Sequence, residues 1–392
     1  MQIPLHLRFT LKKQMNVLAQ EIKSWANNEL ISNEEDIVKR IQFFPHTTNR
    51  GKLIVASVDS DGDYPTSKYL ESYIYLTCSQ SVVYKSDLIH GLKEVSSREP
   101  RINFSWIPEE EKLRRAAYEQ TFEQLVGESI SEIIHNSDYK ALKLQKRNKT
   151  LSIQQLQKGL IFPQASDSSN IGIQLRQTAK LGEALKIMED VENIDYLLID
   201  STFSLPLINS EQSLYFEHLK RYCCVKALEN KICLLAISKA VTSSYLPVIE
   251  KAALASGKEG ESTAEHWYIR LPTSPGEWKF SLIEDKSLPP AGAVTYLFRL
   301  HKTFPIMRLD LDRAYWDKYV KATSQDEILS NERKIFQDID YLSHDQRSYG
   351  FPYPLKSCSD RTSLSQADKL TIRKQFIDVA VANGLSKKLF SF

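Results

Sequence analysis

Two short apolar runs, each closed by an acid, constrain this chain more than any other feature. Leu53 to Val58 is rich in β-branched residues and reads as a buried strand. It runs into Asp59, and an acid at the end of a buried strand needs a compensating charge or donor. Ser60, Asp61, Gly62 and Asp63 follow as turn formers, so the chain is expected to reverse there. The apolar run Tyr69 to Cys78 is the expected hairpin partner. On this evidence alone Asp59 either starts a turn or belongs to a site. A second stretch of the same kind favours the site: Tyr196 to Ile199 is another short apolar strand, again followed by an acid and a serine, Asp200 and Ser201.

Upstream of Asp200, Leu175, Ala179, Leu181, Leu185 and Met188 form a helical apolar stripe, and Glu183 lies in the same segment. A helix returning to the sheet would bring Glu183 beside the two strand ends. Three converging carboxylates repel one another unless they hold divalent cations. Oxygen-only ligation suits Mg²⁺ or Mn²⁺ better than zinc.

At these residues the sequence resembles the NurA nuclease family. The shared features are an early strand with an Asp-Gly-Ser-like turn (VDSDG), a helix carrying Glu183, and a strand ending in IDSTFSL. AISKAVTSSYL resembles the family's strand-plus-Lys segment, YLFRLHKTFPIMRLDLD its late hairpin, and FPYPLKSCSD its Tyr-Pro-x-Pro-Leu segment followed by His or Asp. The ordered set runs from about Lys52 to Val381. Three positions depart from the pattern. Ser60 and Ser201 stand where the family has glycine, and Asp360 lies one residue beyond the usual spacing, which Ser359 occupies.

The resemblance implies an α/β fold with an RNase H-like mixed sheet flanked by helices, and with helical insertions. It also implies metal-dependent phosphodiester hydrolysis by two Mn²⁺ or Mg²⁺ ions. Asp59, Glu183 and Asp200 would be the metal ligands, and Asp360 a fourth catalytic residue. It further implies 5′ to 3′ trimming of DNA, with endonuclease action on single strands beside it, a homodimer, and a hexameric HerA-type ATPase partner in DNA repair or phage defence. The competing expectation is a non-catalytic module that keeps the fold for DNA binding or ATPase docking.

Composition narrows the setting. With 392 residues the chain is long enough for two domains or for one with insertions. The expected division is an N-terminal helical arm over residues 1–45 and a nuclease-like domain over 46–392, with a helical insertion at about 109–150. No stretch is long and apolar enough to cross a membrane, and no signal-peptide pattern opens the chain, so a cytoplasmic location is expected. The five cysteines form no C-x-x-C pair and lie mostly in apolar runs, which argues against a cysteine zinc site or a disulfide framework. The eight histidines show no H-x-x-x-H spacing, so no histidine metal site is expected. Net charge is only +2, so any nucleic-acid surface must be a local patch.

Along the chain, residues 10–42 read as helix, with Trp25 among the positions expected to cover the sheet or meet a second subunit. Residues 81–91 read as loop or short strand, 101–108 as strand and 109–136 as helix. The segment 140–150 holds five basic residues and no acid. Lys143, Lys146 and Arg147 within it are candidate DNA contacts or simply a solvated face. The helix at 211–230 leads into the strand 232–238, a βαβ order that favours a parallel pair. Lys239 would then emerge beside Asp200 as a further phosphate contact. A hairpin at 294–312 and an amphipathic helix at 366–385 complete the chain. Phosphate-binding glycine loops and the serine-hydrolase elbow are absent.

Overall fold

The computed structural model describes residues 5–28, 37–48, 50–87, 91–139, 168–203, 211–239, 241, 246–256, 266–271 and 292–391. In chain order the elements are α1 (Leu5–Asn28), β1 (Gln42–Phe43), β2 (Ile54–Gly62), β3 (Ser67–Tyr69), β4 (Ser72–Asp87), β5 (Gly91–Ser97) and β6 (Arg101–Pro108). Then come α2 (Glu111–Val126), α3 (Ile130–Asn136), α4 (Ser168–Asp190), β7 (Tyr196–Ile199), α5 (Glu211–Glu229), β8 (Cys233–Ser238), α6 (Leu246–Ser256) and β9 (Trp267–Arg270). The chain continues through β10 (Ala293–Arg299), β11 (Met307–Asp312), α7 (Arg313–Tyr319), α8 (Gln325–Ser343), β12 (His344–Asp345), β13 (Ser348–Tyr349), α9 (Tyr353–Thr362), α10 (Gln366–Ala382) and β14 (Phe390–Ser391).

One mixed sheet organises these elements, in the order β1-β9-β10-β11-β8-β7-β2-β4-β3-β14, with β5 and β6 also paired to β4. The strands β2, β7 and β8 are parallel, Val58 standing opposite Ile199 and Ile199 opposite Ala236. Their near-continuous apolar character follows from burial on both faces. Ala56, Val58, Leu197, Ile199, Leu234 and Ala236 face one core, which α2, α3, α4 and α5 cover. Val55, Leu198, Leu235 and Ile237 point the other way into a second core, closed by α7, α8 and the start of α9. That two-residue alternation is the pleat itself. The stripe predicted in α4 is buried throughout, from Leu175 to Met188.

Several local expectations change. The chain does not reverse at Asp59: β2 continues to Gly62, because the sixteen-residue β4 pairs with it as far as Thr77. Gly62 is required there, since a Cβ would stand 2.2 Å from the Leu76 carbonyl oxygen. The segment expected as loop or short strand at 81–91 is strand over 81–87, the end of the long β4. Of the helix expected over residues 10–42, α1 covers the part to Asn28, with residues 8–24 exposed rather than packed on the sheet, while Ile37 and Ile41 farther on are buried. In α10, Leu370, Val379 and Val381 face solvent, and Ile377 and Ala380 are the buried positions.

Candidate active site

The carboxylates of interest lie where β2 and β7 run side by side. Asp59, in β2, follows the last residue paired to β7, and Asp200 directly follows β7. Asp59 is buried among apolar neighbours, and its Oδ1 accepts the Ser60 N–H at 2.7 Å. Lys180 reaches the same oxygen from α4, with Nζ 2.8 Å away, and donates to the Asp200 main-chain carbonyl at 2.7 Å. The Lys180 and Asp59 side chains are 4% and 8% exposed, so this is an ion pair held out of water. Lys180 thus ties both strand ends to one helix.

Burial is the largest influence on the Asp200 carboxyl and lifts it above the ordinary carboxylate range. Lys180 opposes the rise, and the nearby Asp59 charge adds to it. The loop after Asp200 is anchored by Asp310, whose Oδ2 accepts the Phe203 N–H at 2.8 Å while Oδ1 takes the Thr295 hydroxyl.

Glu183 sits one helical turn after Lys180 and is 1% exposed. Its Oε1 accepts the Ser81 hydroxyl at 2.9 Å, and Ser81 is the β4 residue opposite Val58. Arg98 and Arg101 approach the same carboxylate at 3.4 and 3.6 Å. Oε2 is buried and accepts no hydrogen bond. Gly182, beside it, lets α4 approach α2 closely, for a Cβ would lie 2.4 Å from the Leu125 carbonyl oxygen.

Lys239 follows β8, and its Nζ stands 3.7 Å from the centre of the Phe351 ring. Burial pushes its ammonium below the ordinary value against the pull of Asp200, so the two groups are electrostatic neighbours. Asp360 does not lie in a connecting segment. It occupies the last turn of α9, is 60% exposed and pairs with Lys356 one turn earlier. Ser365, and neither Asp360 nor Ser363, caps α10, through a capping box with Asp368. The α9 residue turned toward Asp59 is Cys358, whose Sγ donates to the Gln80 carbonyl at 3.1 Å. Asp61 and Asp63 are fastened to Arg176, Lys369 and Arg373, and tie β2 to α4 and α10. Lys143, Lys146 and Arg147 lie outside the described residues.

Two features escaped the sequence. Lys180 lies on the buried face of α4, three residues before Glu183, and a lysine inside an apolar stripe was its only signal. The histidines converge despite their scattered positions: His46, His266 and His344 meet Asp340, with one potential ligand atom from each lying within 4.8 Å of all the others.

The fold and this site define an α/β protein with an RNase H-like mixed sheet, carrying one buried and one half-buried acid where the pairing of two parallel strands ends. No protein-family model matches the chain, and no curated protein sequence does. Among solved structures it is similar to the NurA nuclease from Sulfolobus solfataricus, at 11% identity and a TM-score of 0.50, over 98% of this chain and 99% of that one. NurA bound to dAMP and manganese is similar at 14% identity and a TM-score of 0.38, over 97% and 98% of the two chains. Endonuclease V of Ciona intestinalis follows at 8% identity and a TM-score of 0.32, over 88% of this chain and 96% of that one. The chain has the NurA nuclease fold.

Proposed function

We propose that this chain is a metal-dependent DNA nuclease of the NurA kind. The observation that carries the proposal is the pair of acids, buried Asp59 and half-buried Asp200, that flank the end of the β2–β7 parallel pairing and are held by Lys180 of the helix that also carries Glu183. The donor set fits a hard divalent cation such as Mn²⁺ or Mg²⁺: the three side chains offer only oxygen, and Glu183 keeps a buried Oε2 that accepts no hydrogen bond, with Arg101 3.6 Å away. Asp59, Glu183 and Asp200 would hold two ions, which lower the pKa of a bound water and offset charge on the phosphate.

The remaining residues position these groups. Ser60 N–H and Lys180 fix the Asp59 rotamer, and Ser81, Arg98 and Arg101 fix Glu183. Lys239, within the electrostatic reach of Asp200, Lys356 and Asp360, would bind the scissile phosphate, and Asp360 would serve as the fourth catalytic acid. Lys143, Lys146 and Arg147 would extend the phosphate track. Exonuclease action from 5′ to 3′, homodimer formation and a HerA-type hexameric ATPase partner belong to the same proposal. Exposed Phe9, Met15, Leu18 and Ile22 on α1 support the homodimer, because they present apolar area without cover among the described residues.

One observation favours a second reading, a non-catalytic DNA-binding or docking subunit. The buried Lys180–Asp59 pair is also how a chain without need of a cation would neutralise Asp59. Linear DNA separates the two readings. A nuclease should degrade it with Mn²⁺ or Mg²⁺, stop in EDTA and lose at least about 10²-fold in rate in Asp59→Asn with the fold intact. Cleavage undiminished by chelator, or normal turnover in Asp59→Asn, would rule out this mechanism. A metal-insensitive protein that binds DNA without cutting it would establish the second reading.

A further inference from the structure

Asp340 is the most deeply buried acid on the far side of the sheet, 0% exposed near the C-terminal end of α8. A carboxylate so placed must be compensated. Its Oδ2 is well served: Thr47 N–H donates at 2.7 Å and His46 Nδ1 lies 3.0 Å away. Oδ1 is different. It is buried and accepts no hydrogen bond, although His344 Nδ1 stands 3.0 Å and His266 Nε2 3.4 Å from it.

The geometry of the imidazoles explains this arrangement. His344 Nδ1 lies 2.9 Å from the Asp340 main-chain carbonyl, a position that only an N–H accommodates, so in the neutral ring the other nitrogen carries the lone pair. That Nε2 faces His266 Nε2 at 3.3 Å. Two donors bound at about 2.0–2.1 Å around a tetrahedral zinc ion are separated by about 3.3–3.4 Å. The Nε2-to-Nε2 and Nε2-to-Oδ1 distances both have that length. Asp340 lies in the last turn of α8 and His344, four residues on, caps its C-terminal end, where a helix favours a cation. His266 precedes β9 and His46 follows β1, so the edge strand, its neighbour and one helix meet at this point.

We propose that His46, His266, Asp340 and His344 form a structural zinc site. Three imidazoles and one carboxylate select a borderline transition metal over magnesium. Four protein donors leave no open position, which is the mark of a structural rather than a catalytic centre. The ion staples the end of α8 to the β1–β9 edge of the sheet. In the sheet order β9 is five strands from β2, which at about 4.8 Å per strand puts this site roughly 24 Å from the carboxylate site. The proposal therefore stands apart from the nuclease reading.

The test uses the full chain, stripped with a chelator and dialysed against zinc chloride alone. One zinc should be retained per chain, X-ray absorption should show imidazole ligands at about 2.0 Å, and melting should rise by about 5 °C. His46→Ala should weaken zinc binding at least about 100-fold while the chain stays folded, because that side chain is 32% exposed. Asp340→Asn, nearly isosteric, should do the same. Asp59→Asn should keep its zinc. A wild-type chain that retains no stoichiometric zinc would reduce the cluster to hydrogen bonds and overturn the proposal. Equal retention by His46→Ala, or loss of zinc in Asp59→Asn, would overturn it as well. Should Asp340→Asn fail to fold, His46→Ala and the absorption spectrum of the wild type decide the matter.

Discussion

Replacing Lys180 with methionine tests the physical basis of the carboxylate site. Methionine keeps the apolar stem and removes only the ammonium. In the wild type that ammonium sits 2.8 Å from Asp59 Oδ1 and 2.7 Å from the Asp200 carbonyl, with both charged side chains less than one-tenth exposed. Breaking a buried ion pair by deleting one partner costs roughly 3–5 kcal/mol, because the other charge is left uncompensated. The Ser60 N–H still serves Asp59 and offsets part of this, so a loss of about 3 kcal/mol is expected. Urea denaturation followed by far-UV circular dichroism, without metal, measures it. Removing both charges in Asp59→Asn with Lys180→Met should recover most of the loss. Millimolar Mn²⁺ should stabilise Lys180→Met more than the wild type, since on the proposed reading the ion would compete with the wild-type ammonium for Asp59. A variant that loses less than about 1 kcal/mol, or that gains no more from Mn²⁺ than the wild type does, would refute the claim that Lys180 and a cation share Asp59.

Three further outcomes are expected. Asp360→Ala should change stability by less than about 0.5 kcal/mol, because it removes only an exposed pair with Lys356 on one helix. If Asp360 serves the reaction, turnover should fall by about 10²-fold, and wild-type turnover would remove it from the site. Glu217, fully buried in α5, has its carboxyl pushed from 4.5 to about 7 by burial, with Lys220 opposing. The folded chain therefore binds that proton more tightly than the unfolded chain, and the contribution to stability is full below pH 4.5 and lost as pH rises through about 7. Glu217→Gln should remove up to about 3 kcal/mol of that pH dependence in urea titrations from pH 5 to 8, and an unchanged profile would show that Glu217 is charged throughout. Gly182→Val should destabilise by about 2–4 kcal/mol, because the new side chain meets the α2 backbone at Leu125, and a melting temperature equal to wild type would contradict that contact.

The sequence by itself determined the strands and their acids. Apolar runs at 53–58, 196–199 and 232–238 are strands because burial on both faces of a parallel pair demands continuous apolar residues, and such a run is visible without coordinates. The α4 stripe, the βαβ unit and the 294–312 hairpin were legible for the same reason of periodicity. The length of β2 was not, because turn-forming residues at 60–63 are overridden by pairing with β4, a partner whose reach only the sheet reveals. Nor was the exposure of α1 and of half of the α10 apolar positions, since an apolar residue does not say which surface it meets. At the carboxylate site Asp59, Glu183 and Asp200 were legible as acids in apolar surroundings. Lys180 was hidden because its partners come from residues 59 and 200. The His46, His266, Asp340 and His344 cluster was beyond sequence reach for the same physical reason. Its donors are brought together from positions up to 298 residues apart by the pairing of β1 with β9 and the packing of α8, and apart from the four-residue step from Asp340 to His344 no local spacing records contacts that exist only after the sheet has closed.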